Sequence, residues 1–190
     1  FIKSLDPPVP IASLDIRALP LQGDAAVYAA LLGPARAGKP LGLLSDAGCP
    51  GIADPGAHLV AAAHAHQVRV VPLVGPSSIL LALMASGMNG QGFAFHGYLP
   101  VATDARAAAL RRLEEESRTL RRAQLFIETP YRNEAMLKSI AAALRPNTSV
   151  CVAADLTLAT ETIERRTAAA WAREDVARFT RRPAMFILEA

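Results

Sequence analysis

The chain has 190 residues, 52% hydrophobic and 19% charged, a balance that supports a real core and excludes an intrinsically disordered segment. Its net charge of +3 is compatible with an anionic partner but too mild to demand nucleic acid. Cys49 and Cys151 give neither metal-ligand spacing nor a disulfide framework, and no apolar run approaches the roughly 18–20 residues of a membrane helix, so a cytoplasmic protein without membrane or metal is expected.

Residues 1–23, rich in Pro and turn formers, read as irregular. Asp24 is placed to cap a helix reaching about Ala37, with Pro34 as a kink or end and Gly38 as its stop. The apolar run 41–45 predicts a buried parallel strand, and 58–67 a helix after an intervening Gly/Pro-rich loop. A second strand is expected over 69–74, then the loop Gly75–Ser78 and a helix ended by Gly87. Strand, loop and helix in repeating order mark a parallel sheet with crossover helices. Residues 93–100 read as a strand running into a linker. Thr103 is expected to cap a long charged helix over 104–118. Strands at 124–128, 149–154, 161–166 and 184–190 follow, with helices at 132–144 and around Trp171. The fold class is therefore α/β, with two α/β lobes, residues 1–97 and 98–190.

Two loops carry candidate chemistry. Ser45–Gly56 leaves an apolar strand end, where open α/β sheets hold ligands, and Asp46 can accept from a ribose hydroxyl or an ammonium group. A plain turn with Asp54 capping the next helix accounts for the same residues. Gly75-Pro76-Ser77-Ser78 offers two hydroxyls and free helix amides to a carboxylate or phosphate, or else Ser77 is simply an N-cap. GxSxG, GxGxxG and Walker A loops are absent, which argues against a serine hydrolase, a nicotinamide dehydrogenase and a P-loop NTPase. His58, His64 and His66 share no helix face and read as surface residues. Arg106, Arg111, Arg112, Arg118, Arg121 and Arg122 could follow a phosphate backbone, or pair with Glu114, Glu115 and Glu116.

Four motifs in order, SDAGCPGIADPG, VVPLVGPSS, FAFHGYLP and FIETPYR, resemble the tetrapyrrole (corrin/porphyrin) methylase superfamily, and within it the branch of small-subunit ribosomal-RNA 2′-O-methyltransferases. The resemblance implies S-adenosyl-L-methionine held in a cleft between two α/β domains, an RNA substrate and a homodimer. It implies cofactor contacts at Ser45, Asp46, Ala47 and Gly48, flanked by Ile52, and at Ser77 and Ser78. Further contacts are implied at Glu128, Thr129 and Pro130, at Ala154 and Leu156, and at Pro183, Ala184 and Met185. Asp155 and His96 are the candidate catalytic bases, with linker packing an equal account of His96, and Tyr131 and Arg132 are the candidate substrate contacts.

The departures matter as well. The family's first strand and its loop are not found, so roughly 40–50 residues, about one βα unit, are expected to precede Phe1. Ala154-Asp155-Leu156-Thr157-Leu158 stands where the RNA branch carries Arg-Glu-Leu-Thr-Lys, and Arg182-Pro183-Ala184 where it carries Lys-Gly-Glu. These changes keep two alternatives open. One is a tetrapyrrole C-methyltransferase, disfavoured by the long first loop. The other is a member that binds RNA or cofactor without catalysis.

Overall fold

The computed structural model describes residues 2–20, 23–45 and 48–190. It divides into two compact units, Phe1–Val74 and Gly75–Ala190.

In the first unit, α1 (Ala25–Leu31) starts where the Asp24 carboxylate accepts a hydrogen bond from the Val27 backbone N–H at 2.9 Å. The chain breaks at Leu32 and resumes as α2 (Gly33–Arg36), because Pro34, with no N–H to give, fits only the first turn of a helix. Tyr28 and Leu32 pack on Leu59 and Ala63 of α3 (Ala57–Ala65), with Leu43 and Val68 against the cluster's edge. The strands expected at 41–45 and 69–74 do not form: neither segment joins a ladder among the described residues. Periodicity marks an apolar run for burial, but a strand exists only through hydrogen bonds to a neighbour. Leu44, Val71, Leu73 and Val74 are accordingly exposed.

The second unit holds α4 (Ser78–Ser86), β1 (Phe93–Tyr98), α5 (Thr103–Leu120), β2 (Ala123–Glu128), α6 (Asn133–Ala143), β3 (Ser149–Ala154), β4 (Thr162–Thr167), α7 (Ala168–Trp171) and β5 (Ala184–Glu189). Gly87 ends α4 in the left-handed region, as its lack of a Cβ allows. Thr103 is the first residue of α5 rather than its cap, which is Ala102 without a side-chain bond. The sheet order is β1-β2-β5-β3-β4, with β1 and β2 parallel and the other neighbours antiparallel. It is thus a mixed sheet, parallel only where α5 crosses over between β1 and β2. The expected lobe boundary at 97/98 falls inside β1, within this second unit.

Helices cover both faces, which is why β2, β3 and β5 read as apolar runs without alternation. Phe126, Val150, Val152, Phe186 and Leu188 face Leu110, Leu113, Met136, Ile140 and Trp171. Leu125, Cys151, Ala153, Met185 and Ile187 face Ile79, Ala82 and Leu83 of α4. Phe126 and Phe186 stack across β2 and β5 at 5.5 Å, and the Trp171 indole N–H donates to the Val150 carbonyl at 3.0 Å. Edge strand β4 keeps Arg165 out: its guanidinium donates to the Gly87 carbonyl at 2.7 Å, placing a cation at the C-terminus of α4.

Candidate functional site

Antiparallel register assembles the site. Glu128, last in β2, pairs with Ala184, first in β5, and Ala184 pairs with Ala154, last in β3. Three of the predicted segments therefore end side by side, each about 4.8 Å from the next. Backbone bonds tie their loops together. The Asp155 N–H donates to the Pro183 carbonyl at 2.9 Å, and the Arg181 N–H to the Pro130 carbonyl at 2.9 Å. The Asn133 amide donates to the carbonyls of Phe179, at 2.9 Å, and Arg182, at 2.7 Å.

Glu128 is fully buried in its side chain. One oxygen, Oε1, accepts from the Thr129 N–H at 2.6 Å and from Arg132 Nε and Nη2 at 2.9 and 2.5 Å, while buried Oε2 has no hydrogen-bond partner among the described residues. Arg132, expected to meet substrate, is thus already neutralised by Glu128. Tyr131 beside it is 76% exposed, with the Arg181 guanidinium 6.0 Å from its ring centre.

Asp155 stands in the left-handed region at φ 52°. Its carboxylate accepts from Arg182 Nε at 2.8 Å and from the Thr160 hydroxyl at 2.9 Å, and Arg182 also donates to the Thr160 carbonyl and, at 2.9 Å, to the Thr162 hydroxyl. Burial acts to raise the pKa of Asp155, but the hydrogen bonds from Arg182 and Thr160, with the Arg182 charge, outweigh it and hold the carboxyl below its ordinary value. A carboxylate so engaged is a weak proton acceptor near neutral pH. The next residue, Leu156, lines a cavity of about 320 Å³ with Leu81, Met84, Ala85 and Ile163.

His96 lies where the β1–β2 register is interrupted between Phe95 and Tyr98, at a bend made by Gly97 with φ 64°. Its Nε2 is 2.6 Å from the Gln124 side-chain oxygen. Strands β2 and β5 separate it from Asp155, so three strand spacings alone put the two at least about 14 Å apart. The two candidate bases are not brought together. Ser77 is the N-cap of α4 without a side-chain capping bond, and Ser78 is its first residue.

In the first unit, residues 51–55 turn back on themselves: the Gly51 N–H donates to the Pro55 carbonyl at 3.2 Å. Gly56 has φ 143°, and a Cβ there would lie 3.0 Å from the Gly51 nitrogen. Gly56, not Asp54, is the N-cap of α3. Ile52 is exposed, whereas Asp46 and Ala47 lie outside the described residues.

Among the described residues no three His, Cys, Asp or Glu gather as a metal site, and no helix is long and apolar enough to cross a membrane. His58 stacks on Tyr28 at 5.9 Å. The arginines of α5 and its exit mostly pair internally: Arg112 and Arg122 with Glu116, Arg118 with Glu115, while Arg106 is buried against the Ser139 hydroxyl and the Val101 carbonyl. Sequence reasoning missed Asn133, Arg181 and Arg182 as organisers of the sheet end. The arginines left a signal, since two consecutive cations just before an apolar strand place charge where that strand enters the sheet; Asn133 left none.

The sequence model of the family described as Tetrapyrrole (Corrin/Porphyrin) Methylases matches residues 14–172. The chain belongs to that family. Ribosomal RNA small subunit methyltransferase I of Escherichia coli O157:H7 is 38% identical over 148 residues, covering 76% of this chain and 50% of that protein. The protein of the same name from Vibrio cholerae is 39% identical over 127 residues, covering 67% of this chain and 43% of the relative. The chain thus spans about half the length of these relatives. Among solved structures, the methyltransferase CobJ superposes with a TM-score of 0.61 at 17% identity, covering 100% of this chain and 80% of that one, a likeness of fold. The five-stranded mixed sheet described above is therefore a tetrapyrrole-methylase sheet.

Proposed function

We propose that this tetrapyrrole-family methylase transfers a methyl group from S-adenosyl-L-methionine to a ribose hydroxyl of small-subunit ribosomal RNA. The observation that supports it is the register Glu128–Ala184–Ala154, which gathers three cofactor segments implied by the family resemblance at one end of the sheet. That end suits a polar ligand: Glu128 Oε2 is a buried acceptor lacking a donor among the described residues. Glu128, Thr129, Pro130, Ala154, Leu156, Pro183, Ala184 and Met185 would hold the donor, together with Ser77 and Ser78. Ser45, Asp46, Ala47, Gly48 and Ile52 are donor contacts on the strength of the resemblance alone.

When bound, the donor supplies a methyl group on a sulfonium that needs no further activation. The protein's own work is to orient the acceptor and exclude water. Arg182 keeps the Asp155 turn in place, which makes Asp155 a positioning residue, and His96 is the residue left to accept a proton. The chain acts as a homodimer in the cytoplasm, where its RNA acceptor lies. One observation favours a second function, binding without transfer: both candidate bases are engaged, Asp155 by Arg182 and His96 by Gln124.

Two measurements test these. Calorimetry with S-adenosylhomocysteine gives a saturable heat if the donor site exists, and no heat refutes it. Incubation of small-subunit RNA with radiolabelled donor yields 2′-O-methylated nucleoside by mass spectrometry. Binding without that product establishes the non-catalytic alternative.

A further inference from the structure

We propose that Tyr131 and Arg181 form one recognition element for single-stranded RNA, the phenol ring stacking on a base and the guanidinium meeting the adjoining phosphate, which rests on the RNA-acceptor function above. Four neighbouring arginines are engaged by carboxylates. Arg132 pairs with Glu128 and Arg182 with Asp155, while Arg166 and Arg178 both pair with Glu164 and Glu174. Arg181 has no carboxylate partner among the described residues. Its guanidinium lies instead 6.0 Å from the ring of Tyr131, a side chain 76% exposed.

A lone exposed tyrosine or arginine is ordinary. This pair is held in advance. The Arg181 N–H donates to the Pro130 carbonyl at 2.9 Å, so the two loops are fastened immediately beside both side chains. Arg181 also keeps φ 62°, a conformation that a side chain bearing a Cβ rarely adopts. The loop beneath it is fixed by Asn133, and the pair flanks the sheet end where Glu128, Ala184 and Ala154 meet. An aromatic face next to an uncommitted planar cation matches the alternation of base and phosphate along an unpaired strand.

Fluorescence anisotropy with a fluorescein-labelled single-stranded RNA of about 12 nucleotides tests the proposal on the full chain. Tyr131→Ala should weaken binding roughly 5- to 100-fold, the loss of one stacked base, while Tyr131→Phe retains it. Arg181→Gly, which suits the positive φ and so keeps the fold, should weaken binding about tenfold and lower the salt slope by about one. Unfolding curves superimposable on wild type establish that each variant is folded. RNA binding by wild type that neither variant alters overturns the proposal and leaves the RNA-acceptor function standing. No RNA binding by wild type overturns both. Variants that change the sedimentation mass but not RNA affinity overturn it too, assigning the pair to contact with a second copy of the chain.

Discussion

Replacing Arg132 by methionine should destabilise the second unit by about 3 kcal/mol. The side chain of Glu128 is fully buried, and three N–H donors converge on its Oε1, two of them from Arg132. Hydrogen bonds to a charged group contribute roughly 1.5–3 kcal/mol each, and breaking a buried ion pair from one side costs about 3–5 kcal/mol. Arg132 retains 28% side-chain exposure, so water replaces part of what is lost and the lower end of that range applies. Trp171 is the only tryptophan and is buried in the second unit, so its fluorescence reports unfolding of that unit. In urea, 3 kcal/mol moves the midpoint by roughly 1.5 M. The double variant Glu128→Met/Arg132→Met removes both charges and should return to within about 1 kcal/mol of wild type. A single variant costing under about 1 kcal/mol, or a double variant no better than the single, would refute the reasoning.

Four further outcomes follow from the geometry. Asp155 has a lower pKa folded than unfolded, so the folded state binds fewer protons there; its contribution is complete above the ordinary value of 3.8 and is lost as pH falls through the lower folded value. Wild type should therefore lose stability below about pH 4 more steeply than Asp155→Asn, and identical acid limbs in urea titrations would contradict this. Phe126→Ala removes a fully buried ring stacked on Phe186 and should cost about 3–5 kcal/mol by the same Trp171 signal; a cost under about 2 would count against the stack. Gly56→Ala meets both φ 143° and contacts of 3.0 Å to the Gly51 nitrogen and a Leu43 methyl, so amide exchange in α1 and α3 should speed up, by about 1–3 kcal/mol of opening free energy, while the Trp171 transition stays put. Cys151 is buried and its thiol is pushed up to about 11, so a thiol reagent at about pH 8 should label it only after unfolding.

Much of the second unit was legible in the chain itself. Strands at 93–98, 123–128, 149–154 and 184–189 lie within a residue or two of their expected places, because sustained apolar runs between turn residues have few other uses. The break at Pro34 and the stop at Gly87 follow from what those residues cannot or can do at φ and N–H. The strands expected at 41–45 and 69–74 failed because a ladder is a property of two segments, and apolarity in one does not supply the other.

The four motifs SDAGCPGIADPG, VVPLVGPSS, FAFHGYLP and FIETPYR, in that order, carried the family resemblance. What they could not convey was the state of each charge. Arg132 and Arg181 look alike as exposed loop arginines. Only the folded chain turns Glu128 inward on the pleat of β2 to take Arg132, and only it sets Arg182 on Asp155 across two strands while leaving Arg181 beside Tyr131. Local sequence determined most elements of the second unit and the family of this protein. Tertiary structure decided which of its charged groups were already paired, because whether Arg132 meets Glu128 four residues away depends on which way β2 turns that side chain, and Arg182 and Asp155, 27 residues apart, meet only through strand register and loop closure.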